Sequence, residues 1–405
     1  MIADETQTAS DEAPLEIPSN SIKLFGGTIM SPIRDPWPVY RRLRREYPVL
    51  PIRGVFGVEH LVTRYDDVQT ILRDPVRFSS RANARGISLV MGRTIIEMEG
   101  KEHVRNRNLI APFFSPRALR EELGEMLRRV AQELIDPIAE KNSAELVTEF
   151  TFTYPLRVIA MIIGIPIGDF HSFHHMALDL ISIADNPAKG LEAAQQLAEY
   201  LSPIVAERRR EPRPDLLSKL VHGEIEGHRL SDEEIISFLR LLLPAGADTT
   251  YRLIGTTLFA LLTHRDQFEQ VLADRSRLQS AIEETLRWES PVQYVSRETT
   301  EDLTLGGIKL AAGSMLFVCV GSANRDETHF PEADRFDMQR RADDHVAFGF
   351  GPHFCAGSHL ARMEASVALN ALLDRLPNLR LDASQEANVV GLAFRSPDRL
   401  PVLFG

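Results

Sequence analysis

The most constraining feature of this sequence is one helix of about thirty residues, from Ser231 to roughly His264, that is apolar on almost every face through its middle. Ser231 followed by Asp232, Glu233 and Glu234 is a helix start: a hydroxyl to cap the free N–H groups, then acidic charge at the positive end of the dipole. A helix apolar all round must be buried. At ~1.5 Å per residue it spans roughly 45 Å, enough to cross a whole domain. A membrane is the other place for such a segment, but Arg240, Asp248 and Arg252 inside it are costly in lipid, so the protein interior is favoured.

The 405-residue chain has the material to surround that helix, being 44% hydrophobic and 25% charged. Length alone suggests about two or three domains. No Gly/Ser run, charge block or repeat reads as a linker, which favours one large domain over 21–405. Residues 1–20 are polar and acidic, with no basic n-region and no long apolar core. They read as a disordered tail, not a signal peptide or anchor. Short β-branched or aromatic runs at 57–63 and 314–320 predict strands. Apolar spacing predicts helices over 116–141, 154–164 (stopped by Gly164 and Pro166), 191–209 and 358–375. The fold class is mainly α with small β-sheets. A formal charge of −11 argues against non-specific affinity for nucleic acid or anionic membranes. Two cysteines make no disulfide framework, so a reducing, cytoplasmic setting is the expectation.

One of those cysteines stands in a loop with chemical content. Residues 348–357 read Phe-Gly-Phe-Gly-Pro-His-Phe-Cys-Ala-Gly, and a helical pattern begins immediately afterwards. Cys355 is thus set at a helix N-terminus, where free N–H groups and the dipole favour thiolate over thiol. Glycines at 349, 351 and 357 remove side chains around the sulfur, so that a flat bulky group can approach the backbone. Zinc wants three or four Cys/His ligands, and Cys319, in an apolar strand, is the only other cysteine. A nucleophilic cysteine wants a histidine base, for which His353 is near in sequence only. Haem iron needs one thiolate. A buried inert cysteine is the remaining reading.

The whole decapeptide resembles the cysteine-ligand loop of the cytochrome P450 (haem-thiolate mono-oxygenase) family, soluble bacterial type. Phe348, Gly349, Gly351, His353, Cys355 and Gly357 each fall on a signature position, and three further motifs stand in the family's order. The likeness covers about residues 30 to 405. It implies a single domain of the cytochrome P450 fold with a long central helix, haem b ligated by Cys355, and Phe348, His353 and Gly357 around the cofactor.

The other motifs acquire meaning beside that loop. In Pro244-Ala-Gly-Ala-Asp-Thr-Thr250 the proline deletes one helical hydrogen bond, which predicts a kink or opened turn with Asp248 and Thr249 beside it, an acid and an alcohol suited to passing protons. The bland alternative has threonine hydroxyls bonding back one turn and Asp248 ion-paired; similarity to the family's oxygen-activation motif favours the functional one. Glu284 and Arg287, with Arg335 as third member, resemble the buried ion network that braces the cysteine loop. His103, Arg107, Arg297 and His353 resemble the set that binds the two haem propionates. By the same resemblance, Leu89, Val90, Ile95, Leu243, Ala247, Val292, Val295, Leu392 and Phe394 line an apolar substrate pocket. Arg93 in the first of these segments reads as a solvent-facing loop arginine.

The implied reaction is insertion of one oxygen atom from O2 into a medium-sized apolar organic molecule. No Gly-x-Gly-x-x-Gly loop opens a helix after a strand, and no room follows the haem domain for a flavin or iron–sulfur module. NAD(P)H electrons are therefore expected through a separate ferredoxin and ferredoxin reductase. Lys101, Arg105, Arg117, Arg120 and Arg362 are a candidate basic docking patch for that partner. A monomer is expected. The alternatives are a peroxide-driven haem-thiolate peroxygenase and a non-enzymatic haem or gas-binding protein. His171, His174 and His175 have helical metal-ligand spacing but read as a solvated face, and Cys319 as a core residue.

Overall fold

The computed structural model describes residues 24–25, 31–54, 57–119, 123–166, 176, 179–180 and 186–405. Tail residues 1–20, Arg120 and the three histidines at 171, 174 and 175 lie outside these. The elements that position the site are helices α1 (Trp37–Glu46), α2 (Tyr65–Arg73), α3 (Gly100–Ile110), α4 (Gly124–Ala139), α5 (Thr153–Ile163), α6 (Pro187–Arg210), α7 (Asp232–Thr263), α8 (Leu278–Trp288) and α9 (Ser358–Arg375). With them come strands β1 (Val49–Gly54), β2 (Gly57–Val62), β3 (Phe78–Ser79), β4 (Val295–Thr299) and β5 (Met315–Val318), forming one sheet in the order β1-β2-β5-β4-β3.

Helix α7 is the axis of the molecule. Its start is a full capping box: Ser231 Oγ accepts the Glu234 N–H at 3.2 Å, and the Glu234 carboxylate accepts the Ser231 N–H at 2.8 Å. From there 32 residues run with α5, α6, α8 and α9 packed around them, burying residues such as Leu239, Leu243, Ile254 and Leu258 in the largest core. The opened turn expected at Pro244 is not there, since the helix is unbroken through it. Close packing supplies the reason: Gly246 lies so near α5 that a Cβ there would stand 2.9 Å from Ile159, which holds the segment against its neighbour.

Elsewhere the pattern and the structure agree in type and differ at ends. Gly164 terminates α5 in the left-handed conformation (φ 88°), its N–H donating to Ala160 O at 2.9 Å. Of the helix expected over 116–141, the described residues show Pro116–Ala118 and α4, with 120–122 lying outside them. The sheet pairs β1 with β2 and β4 with β3 and β5 antiparallel, and β2 with β5 parallel. It carries a second core with α2, while α1 packs over a third around Cys319. Burial pushes the Cys319 thiol up to about 12, in keeping with a core residue. Among the described residues no helix is long and apolar enough to cross a membrane, and no group of three or more His, Cys, Asp or Glu is placed to hold a metal ion.

Candidate active site

The cysteine loop is fixed from three directions. Gly351 turns at φ +71°, and a Cβ there would stand 2.6 Å from the Leu72 carbonyl of α2, so only glycine allows this approach. The Cys355 N–H donates to Phe348 O at 2.9 Å, closing the loop on itself. Arg107 of α3 donates to Phe354 O at 2.6 Å. Cys355 ends up at the start of α9, solvent-accessible, although the loop is enclosed by α2, α3 and α9. Burial pushes its thiol above the ordinary value, opposed by the Gly357 and Ser358 N–H groups and the charges of Arg107 and Arg362. The lowering expected from the helix N-terminus is thus present but outweighed by desolvation.

The four residues matched to propionate binding come together from α3, β4 and the cysteine loop. The rings of His103 and His353 lie 4.2 Å apart, and His353 Nε2 stands 3.4 Å from a Glu99 carboxylate oxygen. Burial, with the charges of His353 and Arg107, depresses His103 to about 4, and its Nε2 is buried without a partner. Arg297 is 6% exposed, its guanidinium donates to Ser296 O at 2.8 Å, and it is lowered to about 10 by burial against the pull of Glu99. A buried guanidinium, a second arginine and an unpartnered imidazole nitrogen near an accessible cysteine suit a group bearing two carboxylates. A Cβ on Gly357 would stand 4.0 Å from Cys355 Sγ, an ordinary contact distance. The donor set fits haem. Glu99, which also accepts the Ser79 hydroxyl at 3.3 Å and the Ser80 N–H at 2.5 Å, is a site residue that sequence reading missed. Its only signal was its place just before α3.

The brace is buried as expected, with one correction. Glu284 and Arg287 are 0% exposed and joined by two hydrogen bonds of 2.7 and 2.8 Å. Arg287 also donates to the carbonyls of Asn324, Ala333 and Arg335. Arg335 contributes that carbonyl alone; its side chain is 59% exposed and pairs with Asp337 and Glu332. The third charged member is Arg340, 3.4 Å from Glu284 Oε1. The meander turns the Arg335 side chain outward, which spacing in sequence does not reveal.

On α7, the bland contacts are the observed ones. Asp248 is gripped by both arms of Arg252 at 2.9 and 3.0 Å, and Thr249 Oγ1 donates back to Ala245 O at 2.8 Å. Ala245 itself is exposed at mid-helix although α7 is packed on all sides, so it borders an internal space. Arg252 reaches the other way as well, donating to Ser396 Oγ at 3.2 Å and lying over the Tyr251 and Phe394 rings. These groups wall a separate cleft of about 340 Å³ with Thr148, Phe152, Pro397 and Asp398. Phe394, matched to the substrate pocket, lines this cleft.

The other pocket candidates divide. Val90, Ile95 and Leu243 are buried together in the main core, Leu392 is buried, Ala247, Val292 and Val295 are half-buried, and Leu89 is 59% exposed. Gly92 fixes the 87–97 segment on α7, since a Cβ there would clash with Ser237. Val292 bridges Phe394, joining two of the predicted segments. Arg93 is held by Glu102 at 2.5 Å and by Glu97. In the docking patch Lys101 is exposed, whereas Arg362 is tied to Glu283 at 2.7 Å.

A cysteine-tipped loop over a cation-rich pocket, under a long buried helix, defines a haem-thiolate architecture. The model of the cytochrome P450 family matches residues 18–380, and the chain belongs to that family of mono-oxygenases. It is 37% identical over 366 residues to cytochrome P450 107B1 of Saccharopolyspora erythraea, covering 86% of this chain and 89% of that one. The structure resembles the bacillaene polyketide synthase cytochrome P450 PksS of Bacillus subtilis with a TM-score of 0.85 and 32% identity, over 92% of this chain and 97% of that one. It is similar also to CYP109E1 from Bacillus megaterium in complex with testosterone, TM-score 0.82 and 32% identity, over 92% and 99%.

Proposed function

We propose that Cys355 holds haem b and that the protein inserts one oxygen atom from O2 into a medium-sized apolar substrate. The observation that carries this is the accessible Cys355 near the buried Arg297 guanidinium and the unpartnered His103 Nε2. His103, Arg107, Arg297 and His353 hold the propionates, and Phe348 and Gly357 shape the space around the sulfur. Bound haem supplies dioxygen binding and O–O cleavage, which a thiolate ligand favours.

The chain's own contribution on the opposite face is proton handling by Asp248 and Thr249. Both arms of Arg252 occupy the Asp248 carboxylate, so it is not free to reach a reacting group or water. Asp248 therefore works only when Arg252 lets go. The cleft beyond Arg252 gives the guanidinium somewhere to turn, with Ser396 already taking one N–H and Asp398 on the same wall.

Leu89, Val90, Ile95, Leu243, Ala247, Val292, Val295 and Leu392 supply the apolar lining. Relatives named for polyketide synthesis and for a testosterone complex support a polyketide- or steroid-sized molecule. Electrons come from NAD(P)H through a ferredoxin reductase and a ferredoxin docking near Lys101, Arg105 and Arg117, with the protein a cytoplasmic monomer. The test is turnover of steroid and macrolactone panels under heavy-isotope O2 with ferredoxin and reductase. One labelled oxygen per product is expected; product lacking the label contradicts the reading.

A further inference from the structure

Glu283 precedes the bracing Glu284 on α8 but serves the cysteine loop. Its carboxylate takes both arms of Arg362 from α9, at 2.7 and 2.8 Å, and stands 3.2 Å from His345 Nε2. Gln279 donates to it as well, at 2.7 Å. The His345 Nδ1 accepts the Ala347 N–H at 3.2 Å, which leaves the ring proton on Nε2, aimed at Glu283. So held, the Arg362 guanidinium lies 4.5 Å from the centre of the Phe348 ring. Phe348 in turn accepts the Cys355 N–H. Arg362 is thus held against the residue that anchors the cysteine, with a carboxylate clamped to it.

We propose that Glu283 is a positioning and charge-setting residue for the cysteine ligand: by holding Arg362 against Phe348 and cancelling its charge, it keeps the reduction potential of the Cys355-held group low. This rests on the haem-thiolate reading above. Reduction adds one negative charge beside the sulfur, so an uncompensated neighbouring cation favours the reduced state. Glu283→Gln leaves Arg362 uncompensated and raises the potential. Arg362→Gln leaves Glu283 uncompensated and lowers it. The double variant restores neutrality and returns toward wild type, a pattern that general loosening of the loop does not produce.

The experiment is an equilibrium potentiometric titration of haem-loaded wild type and the three variants without any partner protein. Each is first checked for the strongly red-shifted Soret band of its reduced carbon monoxide complex. Opposite shifts in the single variants with cancellation in the double support the proposal. Shifts of the same sign, or no shift in either single variant, overturn it. Should a Gln variant fail to take up haem, Glu283→Asp and Arg362→Lys keep both charges and are expected within measurement error of wild type; a large shift in either contradicts charge control. A wild type without the red-shifted band overturns the haem-thiolate reading itself, and this proposal with it.

Discussion

Two ion pairs are built into helices that meet at this site, and they do opposite things. On α8, Glu284 and Arg287 lie three residues apart, wholly buried, and Arg287 reaches carbonyls 37, 46 and 48 residues away. On α7, Asp248 and Arg252 lie four residues apart and nearly as dry, but their outside contacts are one serine and two aromatic rings beside a cleft. The first pair ties distant chain together and has nowhere to go. The second has a cavity at its back. A buried charge pair is a girder or a latch according to what surrounds it, and spacing along the helix does not tell which.

Breaking the girder gives the largest effect. Arg287→Ala leaves Glu284 in a dry core with only the longer contact to Arg340 as a charge partner and is expected to cost about 3–5 kcal/mol, seen as a lower denaturation midpoint and poor recovery of haem-loaded protein. If stability stays within 1 kcal/mol, the brace is ornamental. Breaking the latch acts on rate instead. Asp248→Asn is expected to slow turnover about 100-fold, or ~2.7 kcal/mol of barrier, with the denaturation midpoint near wild type. Thr249→Ala keeps haem binding and diverts electrons to peroxide, measured as peroxide formed per NAD(P)H consumed; unchanged product per electron contradicts a proton-delivery role.

Acid separates a third carboxylate from both pairs. Burial alone raises Glu283, but hydrogen bonds from His345 and Arg362 outweigh it and hold the folded value at about 2, against 4.5 for a free side chain. Its contribution, on the order of 2–3 kcal/mol, is complete above about pH 5 and lost as pH falls toward 2. Denaturation midpoints across that window are expected to drop more steeply in wild type than in Glu283→Gln; equal slopes refute the assignment. The smallest effect belongs to Arg335→Ala, whose exposed pairing predicts a change under about 0.5 kcal/mol. Arg340→Ala, which removes a charge partner from Glu284, is expected to exceed it.

These contrasts also mark what the sequence discloses. The cysteine loop was legible because two of its glycines answer a backbone demand: Gly349 and Gly351 turn at positive φ, and Gly351 also lies against Leu72. The Ser231 cap, the acidic first turn and the long apolar run of α7 were legible as local features, whereas the turn expected to open at Pro244 stays closed. Contacts made across the chain were not: Arg362 meets Glu283 across 79 residues, and Arg340 displaces Arg335 because an irregular meander sets which side chain turns inward. The α7 motif fell between. Its residue types were read for proton transfer, while the resting contacts are the plain helical ones, because Arg252 stands one turn beyond Asp248.

The central claim is tested most directly by the absorption spectrum of the purified protein, reduced with dithionite and exposed to carbon monoxide, in wild type and Cys355→Ala. A strongly red-shifted Soret band in wild type that vanishes in the variant is the predicted result. Protein without haem, or a band that survives loss of the cysteine, contradicts the account.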